Sequence, residues 1–328
     1  MKPTEPKSAR DEALDWVKGA LVVLMVFYHS MNYSPYTAVA FVYMAFLPPS
    51  FIFVAGFLLT NSYLARYDLK DWRLHQRLVV RGAKLILLFT ALNQALYFIA
   101  FGPASVGRFA ENTQAIYLAA DGRVASFSIL ASIGYLLLLA PLVLVMGRLN
   151  RWVLPALALA LLTLCSFMEW KGSVSYHLGM ISAGIMGTAF GLLPLERVAG
   201  FARKWLIVAP LYCLYRVCSY FIGNPYAIQL TGVVTGLLVL YCLALKLPPK
   251  THIDKQVVLL GRYSLFGYIM QLGILQVIVR IVGPFETPLA VLVLTMVTLA
   301  ATWAVTLLLH WLRAKARVVD LTYKAAFA

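Results

Sequence analysis

A lysine and a histidine in the first apolar stretch have the spacing and chemistry of a membrane-embedded reaction site. His29 follows Lys18 by eleven residues, close to three helical turns, so both side chains would project from one face about 16 Å apart. If Lys18 marks the membrane boundary, His29 lies near the middle of the bilayer, where an ionisable group needs a partner or a water-filled cavity. Imidazole exchanges its proton near physiological pH, so we predict that His29 is a general base that activates a hydroxyl. A neutral imidazole that only hydrogen-bonds a neighbouring helix is the alternative.

Polar and aromatic residues beyond His29 are candidates for binding an acceptor. Asn32, Tyr33 and Tyr36 continue from His29 towards the far side of the membrane, where the tyrosine rings could stack on a sugar or anchor the helix at headgroup level. Arg216 lies eleven residues into another apolar stretch, and a cation at that depth normally indicates an anionic partner. Glu169 precedes His177 in a short connection and could orient that histidine or bind a sugar, although an interfacial position also explains it.

A row of basic residues supplies a second candidate site. The row is spaced by three or four residues and falls in one narrow helical stripe; its members are Arg66, Lys70, Arg73, Arg77, Arg81 and Lys84. Such a stripe could hold several phosphates at once, and coenzyme A carries three. It could equally meet anionic lipid headgroups.

Composition places these residues in a membrane protein. Of the 328 residues, 62% are hydrophobic and only 12% are charged, which excludes a disordered chain and a nucleic-acid-binding protein. Apolar blocks such as 289–309 contain no charge and are long enough to cross a bilayer.

We therefore predict an all-α, polytopic membrane protein with about ten transmembrane helices and with both termini in the cytoplasm. The predicted spans are 16–33, 41–62, 85–101, 127–146, 152–168, 176–194, 205–221, 227–245, 257–279 and 287–311. Of the 28 Lys and Arg residues, four lie in loops on the far side, namely Arg108, Arg123, Lys171 and Arg280. Arg216 and Arg262 lie inside predicted spans, and all others are on the side of the N-terminus, which should be cytoplasmic because positively charged loops are retained there.

The predicted organisation is a cytoplasmic segment over residues 1–14, a transmembrane domain over 15–311 and a cytoplasmic tail over 312–328. The first span has no cleavage site, so we expect it to be retained. The four cysteines lie in apolar spans without metal-ligand spacing, and we expect no metal. A multi-pass protein of the bacterial cytoplasmic (inner) membrane, in contact with membrane lipids and not with nucleic acid, follows from this pattern.

Several of these segments resemble the acyltransferase-3 family, part of the wider transmembrane acyl transferase superfamily. Leu14 to Gly19 followed by Tyr28-His29 is similar to the family's signature of Arg or Lys, ten residues and His. Further similar segments are residues 47–58 with Pro48-Pro49, the run through Arg77, Arg81 and Lys84, and residues 260–268. The stand-alone type of the family, such as the periplasmic glucan succinyltransferases, is the most similar in overall shape.

The resemblance implies transfer of an acetyl or succinyl group from cytoplasmic acyl-CoA to a hydroxyl of an extracytoplasmic glycan or lipid-linked sugar, and hence polysaccharide modification. His29 would be catalytic. The residues expected to face acyl-CoA are Lys18, Arg73, Arg77, Arg81, Lys84 and Arg262. The chain departs from the family pattern at Lys18, which replaces the commoner arginine, and at Gln271, where many members have a histidine.

Two other functions are compatible with a buried histidine. A transporter or flippase for a sugar or anionic metabolite would use His29 and Arg216 to bind substrate or protons. A structural subunit of a polysaccharide synthase would tolerate substitution of these residues. The sequence also leaves open a homo-oligomer.

Overall fold

The computed structural model describes residues 11–64, 71–119, 124–173, 175–247, 251–283 and 285–327, and these residues form helices and connections without β-strands. Arg66, Lys70 and Arg123, named above, lie outside the described residues. The helices are α1 (Glu12–Asn32), α2 (Thr37–Met44), α3 (Leu47–Leu58), α4 (Trp72–Phe101), α5 (Ser105–Glu111), α6 (Ser128–Leu149), α7 (Val153–Trp170), α8 (Tyr176–Phe190), α9 (Leu195–Ala202), α10 (Trp205–Ile222), α11 (Tyr226–Lys246), α12 (His252–Arg262), α13 (Ser264–Val282), α14 (Pro288–Lys315) and α15 (Arg317–Phe327).

The predicted all-α membrane fold is confirmed. Nine helical segments of the described chain are long and apolar enough to cross a membrane, and α8 with α9 forms a further candidate bent by 99°. Each of the ten predicted spans has a helical counterpart. One boundary was wrong: the predicted span 257–279 is broken at Tyr263, between α12 and α13. Arg262 therefore ends an amphipathic helix and does not lie inside a span.

Helix α1 lies in the middle of the bundle, where it packs against α3, α11, α12, α13 and α14. It begins at Asp11, whose carboxylate accepts hydrogen bonds from the amides of Ala13 and Leu14 at 2.8 and 3.1 Å and so satisfies two free donors of the first turn. Leu21 and Met25 on α1 are fully buried. The helix that carries Lys18 and His29 is thus surrounded by protein.

Helices α1 and α12 cross at two glycines. A Cβ atom on Gly19 would overlap the carbonyl of Val257, and one on Gly261 would overlap the carbonyl of Asp15. Small residues allow backbones to approach this closely in membrane proteins. The crossing brings the first turns of α1 next to Arg262.

Helix α4 has an apolar face and a basic face. Leu74, Leu78 and Leu85 are buried, and this face packs against α6. The spacing of four and seven residues is that of one helical stripe. Arg73 and Arg77 remain exposed, while Arg81 and Lys84 are half-buried at the end of the basic stripe nearest the bundle.

Candidate active site

A cavity of about 300 Å³ opens at one end of the bundle between α1, α3, α4, α6, α12, α13 and α15. Its mouth carries the cations Lys18, Arg81 and Arg262, while apolar side chains such as Leu21 and Ile129 line its walls. Helices that are far apart in the sequence supply these cations. The structure therefore brings together three of the six residues that the sequence assigned to acyl-CoA.

Arg77, Arg81 and Lys84 line a second cavity, of about 410 Å³, together with Tyr63 and Gln76. Arg81 and Tyr63 border both cavities, so the basic stripe of α4 adjoins the mouth of the first one. Guanidinium and ammonium groups on one rigid helix can bind neighbouring phosphates.

Arg73 does not belong to this arrangement, because it lies on the exposed first turn of α4 and lines neither of these two cavities. From this position Arg73 adds only to the positive charge at the start of α4.

Asp15 holds two of the cations at the mouth. Its carboxylate is 2.6 Å from Lys18 Nζ and 3.7 Å from Arg262 Nε, and the residue is 2% exposed. Glu12 adds a second, exposed carboxylate at 3.6 Å from Arg262. Asp15 is not among the site residues predicted from the sequence, although an acid three residues before a lysine inside an apolar span indicates such a pair.

The inner end of the cavity is formed by aromatic rings. Phe51 and Tyr268 line it, with ring centroids 6.3 Å apart. His29 lies next to Tyr268, at 6.3 Å between ring centroids, and also contacts the Tyr28 ring at 5.3 Å. One tyrosine ring therefore separates the cavity from the histidine.

The imidazole of His29 has a free nitrogen. Its Nε2 atom is buried and has no hydrogen-bond partner among the described residues. Such a nitrogen can accept a proton from a bound hydroxyl.

The other polar residues near His29 lie in the turn between α1 and α2. Asn32 is exposed at the end of α1, and Tyr33 is the cap residue that follows it. The Tyr36 hydroxyl donates to the backbone carbonyl of Glu286 at 3.4 Å, in the connection before α14. These three residues lie beyond His29 from the cavity, on the side predicted to receive the acceptor.

Arg216 does not face the cavity, and its expected anionic partner is replaced by backbone oxygens. Its Nη1 atom donates to the carbonyls of Val42 and Tyr43 at 3.2 and 3.3 Å, and the guanidinium lies 4.7 Å from the centroid of the Tyr43 ring. These carbonyls are at the C-terminal end of α2, where helical acceptors have no intrahelical donor. The end of α2 therefore engages the Arg216 guanidinium, and a role of Arg216 in substrate binding stays a prediction.

Glu169 also has a structural partner. Its carboxylate accepts a hydrogen bond from the Tyr226 amide at 2.7 Å and so caps the first turn of α11. His177 instead pairs with Ser132, at 2.8 Å between Nδ1 and Oγ. Glu169 is therefore engaged at the start of α11, and a contact of Glu169 with a sugar stays a prediction.

Gln271 is fully buried on α13, and both of its amide atoms are without a hydrogen-bond partner in the part of the chain that the structure describes. A buried amide in this state costs free energy unless water or a ligand satisfies it. Gln271 follows Tyr268 by three residues, so it lies on nearly the same face of α13.

Comparison with known families gave one match. A family model described as an acyltransferase domain, Acyl_transf_3, matches residues 11–307. The match includes Lys18, His29 and the cavity walls from α1 to α13, and it ends before α15. Comparisons with curated proteins and with solved structures found no match.

Proposed function

Because the chain belongs to the acyltransferase-3 family of membrane acyltransferases, we propose that it transfers an acetyl or succinyl group from cytoplasmic acyl-CoA to a hydroxyl of an extracytoplasmic glycan or lipid-linked sugar. The observation that carries the proposal is the path from the cations at the cavity mouth to His29, with Tyr268 between them. The bacterial inner membrane is the location that we propose.

The two adjoining cavities support acyl-CoA as the donor. In the proposed complex, Arg77, Arg81 and Lys84 bind the phosphates of the nucleotide, because each can offer charged donors at the cavity surface. Lys18 and Arg262 add positive charge at the mouth of the inner cavity. The pantetheine arm then extends between apolar walls towards Tyr268, and the thioester reaches the level of His29.

The proposed chemistry uses the free Nε2 atom of His29 as a general base. The acceptor hydroxyl gives its proton to Nε2 while its oxygen attacks the thioester carbonyl carbon. The carbon–sulfur bond breaks, and the imidazolium returns the proton to the departing thiolate. The acceptor approaches from the turn that contains Asn32, Tyr33 and Tyr36, opposite to the donor.

Family membership favours acyl transfer over the transporter hypothesis. Arg216 supports this preference, because its hydrogen bonds to α2 engage the guanidinium that a transporter would use to bind its substrate. A transporter should not cleave the thioester, so release of the CoA thiol separates the two functions.

The test is the substitution His29→Ala in the purified full-length protein. We expect release of CoA from acetyl-CoA or succinyl-CoA, in the presence of cell-envelope glycans, to fall at least about a hundredfold, since a general base contributes a factor of this order. The measurement is thiol release together with transfer of labelled acyl groups.

The matched control is His252→Ala. His252 is an exposed first residue of α12, and its loss should leave the rate unchanged. Both variants should keep the elution volume and thermal unfolding temperature of the parent protein. A His29→Ala protein that is folded and still transfers acyl groups at the parental rate would contradict the assignment of the base.

A further inference from the structure

Helix α15 follows the part of the chain that belongs to the family, yet it forms one wall of the inner cavity. The family match ends at residue 307, and α15 covers Arg317–Phe327. Tyr323 and Phe327, four residues apart and therefore on one helical face, both line the cavity with Arg262 and Leu265. The helix packs against α14 and against α4, the helix that carries the basic stripe.

Charged contacts hold α15 in this position. Arg313 on α14 is bound to the Asp320 carboxylate, at 3.0 Å from Nε and 2.6 Å from Nη2, and Lys324 is 2.5 Å from the same carboxylate. Hydrogen bonds from Lys324 and Arg313 keep the pKa of Asp320 below its usual value, so this acid is ionised at neutral pH. Arg313 also donates to the Tyr263 hydroxyl at 3.0 Å and thereby connects α15 to the start of α13.

The ring contacts show which part of a donor this wall can touch. Tyr323 stacks on Phe327, with centroids 5.0 Å apart and ring planes at 26°, and the Arg313 guanidinium lies 4.0 Å from the Tyr323 ring centroid. The Tyr263 ring also lies edge-on to Tyr323, at 5.4 Å between centroids, so a purine base that stacked on Tyr323 would have to displace one of these three neighbours. The edge of the Tyr323 ring and the Phe327 side chain can still contact a donor. Such a surface suits a narrow chain of methylene and amide groups.

We propose that α15 is a donor-binding element, in which Tyr323 and Phe327 contact the pantetheine arm of the acyl thioester. This inference rests on the proposed function, since it takes acyl-CoA as the donor. The phosphates lie on the α4 side of the mouth and the arm lies against α15, so the two parts of the donor have separate binding residues.

Cysteine protection tests the contact directly. In a protein that carries Cys213→Ala and Cys218→Ala, we introduce Phe327→Cys and measure its rate of modification by a maleimide with and without desulfo-CoA, which lacks a reactive thiol. We expect desulfo-CoA to slow the modification of Phe327→Cys about tenfold. The matched control is Leu321→Cys, because Leu321 lies on the opposite face of α15 and is 55% exposed. Its rate of modification should be the same with and without desulfo-CoA.

Kinetics with a truncated donor test which part of the donor is bound. Phe327→Ala should raise KM about tenfold, which is the order expected for loss of an aromatic contact. The increase in KM should be the same for acetyl-CoA and for acetyl-pantetheine. Arg81→Ala should raise KM for acetyl-CoA only, because acetyl-pantetheine has no phosphate.

The outcomes separate the two proposals. If desulfo-CoA binds the parent protein, as measured by calorimetry, but does not protect Phe327→Cys, then α15 is not part of the donor site and the proposed function is unaffected. If Phe327→Ala raised KM for acetyl-CoA but not for acetyl-pantetheine, this result would also overturn the pantetheine contact. Failure of desulfo-CoA to bind the parent protein would overturn both proposals.

Discussion

At the scale of single residues, Asp15 decides how the cations at the cavity mouth are arranged. Lys18 and Arg262 are predicted from the sequence to face acyl-CoA, and the structure adds the buried carboxylate that pairs with both. Two cations this close would repel each other without the acid, and each would otherwise be free to adopt other rotamers. Asp15 therefore acts through the residues that face the donor, as a positioning residue.

We expect Asp15→Asn to destabilise the protein and to weaken donor binding. Removing one charge of a buried ion pair lowers the free energy of unfolding by about 3–5 kcal/mol. Because the Arg262 side chain is 41% exposed, we expect Asp15→Asn to lower it by about 1–3 kcal/mol. The measurements are the free energy of unfolding in detergent and the Kd for desulfo-CoA. Glu12→Gln is the control, because Glu12 also approaches Arg262 but is 54% exposed and should contribute less than about 0.5 kcal/mol. Equal effects of the two substitutions would contradict a positioning role for Asp15.

At the scale of helices, breaks and crossings place the site residues. The break at Tyr263 turns one predicted span into α12 and α13, and it leaves Arg262 at the mouth. The end of α2 before α3 exposes the carbonyls that Arg216 binds. Hydropathy alone reports that these segments are apolar, so it could not predict where an apolar stretch bends or which side chain satisfies the carbonyls at a bend.

The crossing of α1 and α12 gives a prediction at this scale. Gly19→Ala should lower the free energy of unfolding by about 1–3 kcal/mol, the cost of overpacking, because its Cβ atom would overlap a backbone carbonyl that cannot rotate away. Gly273→Ala on α13 is the matched control. It has open space around the added carbon and should leave stability unchanged or raise it by up to about 1 kcal/mol through helix propensity. A neutral Gly19→Ala would show that the two helices do not approach as closely as described.

At the scale of the whole molecule, residues near both ends of the described part of the chain lie at one end of the bundle. Lys18 near the start of the chain and Phe327 near its end line the same cavity. A chain whose ends share a side crosses the membrane an even number of times. If both termini are cytoplasmic, as the distribution of Lys and Arg predicts, the nine long spans of the described chain require α8 as a tenth crossing, although α8 has only 15 residues and is followed by a sharp bend into α9.

Reporter fusions test this topology and its orientation. We expect alkaline phosphatase, which is active only outside the cytoplasm, to be active after Gly172 and inactive after Arg203, because α8 lies between these positions. A fluorescent protein fused after residue 328 should fluoresce in the cytoplasm, as the distribution of Lys and Arg predicts. Phosphatase activity at both internal positions would show that α8 does not cross, and an active phosphatase at the C-terminus would reverse the orientation.

The sequence by itself determined the fold class, the approximate spans, the family and the chemical type of the central residues. These properties follow from local features: apolar length for the spans, helical spacing for Lys18 with His29, and the order of short motifs for the family. The tertiary structure alone decided that Asp15 pairs with Arg262, that Arg216 and Glu169 satisfy helix ends, and that α15 closes one wall of the cavity. Each of these depends on contacts between residues distant along the chain, and periodicity within one helix contains no information about the partner helix or its register.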